Sequence, residues 1–130
     1  PQPIVCDGRM VSQALINVLK NAAEAIAGRR ATEPDHPGRI RVSMEQDAEH
    51  VCFIVEDNGV GLPAKGRDRL TEPYVTTREK GTGLGLAIVK RVMEDHGGEL
   101  ILQDASEPPG ARAVLRFRRQ AQPAALAAAE

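Results

Sequence analysis

Apolar residues recur near the start of the chain with the spacing of an amphipathic helix. They follow one another at intervals of four, three, four and four residues, which places them on one helical face. Asp7 is suited to cap this helix at its N-terminus, and the pattern ends near Gly28. The sequence therefore predicts a long first helix with these core-facing residues: Val11, Leu15, Val18, Ala22 and Ile26.

Four shorter segments have the patterns of β-strands. Residues 40–44 alternate between apolar and polar, as in a half-buried strand. Residues 51–55 are apolar throughout, which predicts a central strand covered on both faces. Residues 100–102 and 113–117 predict two more strands, joined by a proline-rich turn at residues 106–110.

A long polar segment, residues 59–85, separates the second strand from a second helix. Its glycine, proline, threonine and charged residues are typical of a functional loop or lid. The second helix is predicted over Leu84–Met93, with Ile88 among its buried residues, and Gly97 and Gly98 end it.

This order of elements predicts an α/β fold. Helices with such connections must pack on a sheet, which indicates a two-layer α/β sandwich with a mixed, mostly antiparallel sheet and about three helices. We expect one domain over residues 1–119 and a disordered, alanine-rich tail at residues 120–130.

Composition narrows the function classes. The 130 residues carry a formal net charge of −1 and only three aromatic side chains, which disfavours a nucleic-acid or membrane-surface binder. No apolar run reaches the roughly 20 residues of a membrane span. The two cysteines, Cys6 and Cys52, are expected to be reduced in a cytoplasmic protein. Four arginines are expected on the solvent face of an edge strand: Arg112, Arg116, Arg118 and Arg119.

Two asparagines on the first helix are candidate ligand residues. Asn17 and Asn21 are four residues apart, so their carboxamides stack at the edge of the apolar stripe. Such oxygens can bind a hard cation such as Mg²⁺. The alternative is that both are polar residues of a solvated helix face.

The end of the second strand is a second candidate. Asp57 is followed by Asn58 and Gly59, a pair that also forms hairpin turns. In the functional interpretation, the glycines allow a ligand to approach the backbone, and the Asp57 carboxylate accepts a hydrogen bond from an amino group such as that of adenine.

A glycine-rich segment, residues 81–86, precedes the second helix and can cradle phosphates with backbone N–H groups. It matches neither the dinucleotide fingerprint nor a Walker A loop. Arg78 and Lys80 can supply positive charge to phosphates, or they belong to a solvated charged loop.

Taken in order, four blocks at residues 17–22, 57–61, 72–77 and 81–86 resemble the N box, first glycine box, F box and second glycine box of bacterial sensor histidine kinases. The resemblance is to their catalytic, ATP-binding domain, of the Bergerat-fold ATPase superfamily, and covers about residues 4–118. The sequence Glu-Pro-Tyr-Val-Thr-Thr at residues 72–77 is most similar to that of nitrogen-regulation kinases of the NtrY and NtrB type.

The resemblance implies roles for individual residues. Asn21 would coordinate Mg²⁺, with Asn17 and Lys20 beside it in the catalytic set. Asp57 would bind the adenine amine, and Gly59 and Gly61 would shape the adenine pocket. A lid at about residues 62–82 is expected to be mobile without nucleotide. Further contacts to ATP or ADP are expected from Thr77, Arg78, Lys80, Gly81, Thr82, Gly83, Leu84, Gly85 and Leu86.

The resemblance also implies an activity. Hydrolytic relatives carry a glutamate where Asn17 stands, and a carboxamide cannot act as a base at neutral pH, which favours phosphoryl transfer to a protein. The acceptor would be a histidine of a dimerisation domain expected upstream in a longer parent, with a response regulator as the next partner. The chain itself is expected to be monomeric and cytoplasmic. The sequence does not decide whether the parent is anchored in the inner membrane. The alternatives are an anti-sigma-type Ser/Thr kinase and a nucleotide-binding switch without transfer.

Overall fold

The computed structural model describes residues 8–63, residue 70 and residues 85–119, and the structural statements below concern these residues. The Asp7 cap, most of the expected lid and the expected tail lie outside them. The elements follow the predicted order: α1 (Gly8–Arg30), β1 (Ile40–Gln46), β2 (His50–Asp57), α2 (Gly85–Asp95), β3 (Glu99–Asp104) and β4 (Ala111–Arg118).

Helix α1 buries the predicted apolar face. Val11, Val18, Ala22 and Ile26 are buried and Leu15 is half-buried. The helix continues two residues beyond Gly28, to Arg30. Two arginines in its last turn interact favourably with the negative end of the helix dipole, which supports this extension.

The four described strands form one antiparallel sheet in the order β1-β2-β4-β3. Strand β2 is central, as predicted, and both helices pack on one face of the sheet, which confirms the two-layer α/β sandwich. The core between the layers consists of Val11, Ala14, Val18, Ala22, Val55, Val89, Val92, Met93, Leu115 and Phe117.

Strand β1 is exposed along its whole length, so the prediction of a half-buried strand is wrong. The apolar residues of β1 do share one face of the sheet, because Val42 pairs with Val55 and Met44 with Phe53, on the side that faces the helices. Nevertheless Val42 is 57% exposed. The reason is the position of β1 at the edge of the sheet, while the helices pack mainly on β2, β3 and β4.

The prediction that the four arginines lie on an edge strand is also wrong. Strand β4, which carries Arg112 and Arg116, lies between β2 and β3. On the outer face of the sheet, Arg116 Nη1 lies 3.2 Å from a Glu99 carboxylate oxygen, and Arg112 Nη1 lies 4.0 Å from Glu56. These acidic partners offset the charge of the two guanidinium groups.

Helix α2 ends as predicted. Gly97 has φ of +68°, the Gly97 N–H donates to Glu94 O (3.1 Å) and the Gly98 N–H donates to Met93 O (2.8 Å). This is the glycine-terminated C-cap in which a left-handed residue closes the last turn. The prediction that Ile88 is buried is wrong, because Val89, Val92 and Met93 occupy the buried side and Ile88 is exposed. No helix among the described residues is long and apolar enough to cross a membrane.

Candidate functional site

The two asparagines of α1 lie one turn apart on its buried side. Asn17 is only 9% exposed, and its Oδ1 accepts a long hydrogen bond of 3.5 Å from Gln13 Nε2. Within the described part of the chain, the buried Asn17 Nδ2 has no hydrogen-bond acceptor. A buried amide N–H group without an acceptor is costly, so this group is suited to donate to a bound ligand.

Asn21 faces the start of α2. A Cβ atom added to Gly85 would lie 3.8 Å from Asn21 Oδ1 and 4.0 Å from its Nδ2. The carboxamide therefore lies beside the N-terminus of α2, where free backbone N–H groups and the helix dipole favour anions. Leu86, the second residue of α2, is half-buried. A Cβ atom at position 85 would make ordinary van der Waals contact with Asn21, and among the described residues the glycine leaves that position unfilled.

Asp57 is the last residue of β2 and is 7% exposed. Its Oδ1 accepts a hydrogen bond of 2.8 Å from the Gly59 N–H. A carboxylate has two oxygens with several acceptor positions, so Asp57 can also accept from a ligand amino group. The hairpin-turn alternative fails for this segment, because β2 does not pair with the next strand through it; β2 pairs with β1 and β4.

The glycines after Asp57 pack between two other elements. Gly59 lies against the α1 backbone at Ala25, and the Val60 N–H donates to Ala25 O (3.1 Å). Gly61 has φ of +84° and lies against the backbone of Gly110, in the β3–β4 turn. We call residues 57–61 the glycine loop. It is held between α1 and the β3–β4 turn, which leaves little room for larger side chains.

Helix α1 contacts both the glycine loop and the start of α2. Ala25, which supports the glycine loop, follows Asn21 by one helical turn, and Asn21 faces Gly85. Two successive turns of α1 thus contact the glycine loop after Asp57 and the α2 N-terminus. An amino-group acceptor at one end and anion-binding groups at the other suit a nucleotide.

Several predicted residues are not part of this arrangement as described. Lys20 is exposed, and among the described residues its side chain shows no hydrogen bond or ion pair. Seven others lie outside the described residues: Thr77, Arg78, Lys80, Gly81, Thr82, Gly83 and Leu84.

The residues that contact the glycine loop and hold it in place were not identified from the sequence. Ala25 and Gly110 contact it directly, and Asn58 bonds to the α1–β1 loop. A small residue one turn after Asn21 is a signal for close approach of another chain segment. Nothing in the sequence marks the partners of Asn58, which lie 19–29 residues away.

Comparison with known proteins identifies the family of the chain. Residues 6–121 match the family described as histidine kinase-, DNA gyrase B- and HSP90-like ATPase. The chain is 59% identical over 111 residues to the nitrogen regulation protein NtrY of Azorhizobium caulinodans, covering 84% of the chain and 14% of NtrY. It is 38% identical to sporulation kinase E of Bacillus subtilis, covering 78% of the chain and 13% of that kinase. The chain therefore spans a small part of these relatives.

Solved structures with the same fold include two sensor kinases. The mycobacterial sensor histidine kinase MprB matches with a TM-score of 0.73 and 31% identity, over 88% of this chain and 76% of that one. The catalytic domain of histidine kinase ThkA, in a nucleotide-free form, matches with a TM-score of 0.73 and 28% identity, over 89% of this chain and 71% of that one.

Proposed function

The chain belongs to the family of histidine kinase-, DNA gyrase B- and HSP90-like ATPases, and we propose that it is the catalytic half of a protein-histidine kinase. It binds Mg-ATP and transfers the γ-phosphoryl group to a histidine on a dimerisation domain of its parent, which passes the phosphoryl group to a response regulator. The observation that carries the proposal is the buried Asp57 carboxylate, oriented by the Gly59 N–H (2.8 Å) in a loop supported by α1.

Adenine recognition is assigned to Asp57. Its carboxylate accepts a hydrogen bond from the exocyclic amine, while Gly59 and Gly61, packed against Ala25 and Gly110, hold the loop that shapes the adenine pocket. The phosphates extend toward the α2 N-terminus beside Asn21, where Gly85 leaves space. The remaining phosphate contacts are assigned to Thr77, Arg78, Lys80, Gly81, Thr82, Gly83 and Leu84, and Leu86 lines the start of α2.

A magnesium ion fits the donor set. Mg²⁺ is bound by few protein oxygens and keeps phosphate and water ligands, which matches the Asn21 carboxamide next to a phosphate-binding helix start. When bound, the ion neutralises charge on the phosphate oxygens. The Asn17 Nδ2, buried without an acceptor among the described residues, is suited to donate to a phosphate oxygen.

The residues support transfer over hydrolysis. Asn17 occupies the buried position beside Asn21 and cannot take a proton from water at neutral pH. Phosphoryl transfer mainly needs positioning and charge neutralisation. In the proposed step a histidine nitrogen forms a bond to the γ-phosphorus, the bond from phosphorus to the bridging oxygen breaks, and ADP leaves.

The test is a phosphotransfer assay. The chain is mixed with Mg²⁺, γ-labelled ATP and a dimerisation domain that carries a phosphoacceptor histidine. We expect an acid-labile, base-stable label on that domain, which is lost when the histidine is replaced by alanine. Asn21→Ala should abolish the Mg²⁺ dependence of nucleotide binding in calorimetry, whereas Arg41→Ala, a change on the outer sheet face, should leave it intact.

The outcomes separate the candidate functions. An acid-stable label on serine or threonine of a partner would identify the anti-sigma type of kinase. Nucleotide binding without any transfer would leave a nucleotide-binding switch. A folded chain that binds no nucleotide would contradict the proposal.

A further inference from the structure

Every polar group of Asn58 is engaged by the end of α1 or the α1–β1 loop. Its N–H donates to Arg39 O (3.2 Å), its Oδ1 accepts from the Arg39 N–H (2.7 Å) and its Nδ2 donates to Pro37 O (2.9 Å). Its own carbonyl oxygen accepts from Arg29 Nη1 and from His36 Nε2, both at 2.8 Å. A carbonyl oxygen has two lone pairs, so these two donors satisfy it.

The two side-chain donors are themselves held in place. Arg29 Nε also donates to Glu33 Oε2 (2.9 Å), so one guanidinium joins the loop carboxylate to the Asn58 carbonyl. The hydrogen bond from Arg29 holds the pKa of the Glu33 carboxyl below its ordinary value. The His36 backbone carbonyl accepts from Arg30 Nε (3.0 Å), which ties the same loop to α1.

Asn58 lies between the two residues that define the adenine end of the site. Asp57 precedes it, and Gly59, whose N–H orients the Asp57 carboxylate, follows it. A displacement of the Asn58 peptide group therefore moves the carboxylate and its partner together. A shift of about 1 Å is enough to weaken a hydrogen bond to a ligand amine, because such bonds depend steeply on geometry.

We propose that Arg29 and His36 are positioning residues for base recognition. They bind the Asn58 carbonyl and thereby hold the Asp57 carboxylate where it distinguishes adenine from a 6-oxopurine. This inference rests on the proposed function, because it needs Asp57 to face the base. Adenine presents an amine to the carboxylate, whereas hypoxanthine presents a carbonyl oxygen, which the carboxylate repels.

The test compares the binding of ATP and ITP to the same chain by calorimetry in Mg²⁺. The wild type should bind ATP more tightly than ITP. The double variant Arg29→Ala/His36→Ala should lower this preference by about fivefold or more, chiefly through weaker ATP binding. His36→Gln keeps an N–H donor and should retain more of the preference than His36→Ala.

Two further variants serve as references. Asp57→Asn presents an amide donor in place of the carboxylate, so it should shift the preference toward ITP. Arg41→Ala removes the same charge as Arg29→Ala from the outer face of the sheet and should keep the wild-type ratio. Thermal melts of each variant establish that it is folded at the assay temperature.

The results distinguish the two proposals. Equal binding of ATP and ITP by the wild type would overturn the adenine assignment and this inference with it. A wild-type preference that Asp57→Asn alters while the folded double variant retains it would overturn the positioning role alone. An equal weakening of ATP and ITP in the double variant would also overturn it, since a general loss of structure does not change the ratio.

Discussion

Gly59 is the position in the glycine loop where an added methyl group would overlap the backbone of α1 rather than a flexible side chain. A Cβ atom there would lie 2.4 Å from the Ala25 carbonyl carbon and 2.6 Å from both its oxygen and its Cβ. Non-bonded carbon atoms are in favourable contact at about 3.5–4.0 Å. Gly59→Ala must therefore push the loop and α1 apart by about 1 Å.

This separation would disturb two hydrogen bonds of the site. One joins the Val60 N–H to Ala25 O (3.1 Å), and the other joins the Gly59 N–H to Asp57 Oδ1 (2.8 Å). Overpacking of this kind costs about 1–3 kcal/mol. We expect Gly59→Ala to lower the free energy of unfolding by this amount in urea titrations and to weaken ATP binding in calorimetry.

Gly28→Ala is the matched control, because it adds the same atom to α1 where α1 meets the same loop. Its Cβ would lie 3.3 Å from Val60 Cγ1, the end of an exposed side chain that can rotate. Alanine in place of a helical glycine stabilises by up to about 1 kcal/mol. A Gly59→Ala variant that matches the wild type in stability and ATP affinity would contradict this steric explanation, and so would a Gly28→Ala variant that is equally destabilised.

Other changes test the fold around the site. Met93→Ala should lower the free energy of unfolding by about 2–5 kcal/mol, because Met93 is 0% exposed; a smaller loss would contradict the core assignment. Gly97→Ala should lower the free energy of unfolding by about 1 kcal/mol, because Gly97 has φ of +68°, although no atom of the described residues lies within 4 Å of the added Cβ; an unchanged melting temperature would count against it. Asp47 accepts from the Glu49 and His50 N–H groups, which lower its pKa below the ordinary 3.8. Asp47→Ala should therefore lower the melting temperature at neutral pH. This difference from the wild type should vanish as the pH falls below 3.8 and through the lowered pKa of Asp47 in the folded chain. A difference that does not change with pH would show that the ionised carboxylate is not its cause.

Hydrophobic periodicity predicted the order and kind of the elements because it depends on local sequence. The same pattern could not predict how deeply β1 is buried. Val42 lies on the side of the sheet that its alternation indicates, yet it is exposed because β1 occupies the edge. The order of strands in a sheet depends on long-range pairing, and this also explains why Arg112 and Arg116 lie on an interior strand.

The sequence nominates residues of the candidate site where a short motif carries its own chemistry. Asp57 before the glycine loop and the asparagine pair on α1 are examples, and their roles stay predictions. The support of the loop was not predictable. Ala25, Asn58 and Gly110 act through contacts with distant segments, and only the fold brings those segments together.

We propose that Mg-ATP binds along the glycine loop and the start of α2. The most direct measurement is a titration of the ¹⁵N-labelled chain with Mg-ATP followed by NMR. We expect the backbone amide signals of Gly59, Gly61 and Gly85 to shift in a saturable way, and those of Arg112 and Arg116 to stay in place. Loss of these shifts in Asp57→Ala would assign the adenine end. No shift at millimolar ATP in a folded sample, or shifts confined to the outer sheet face, would contradict the account.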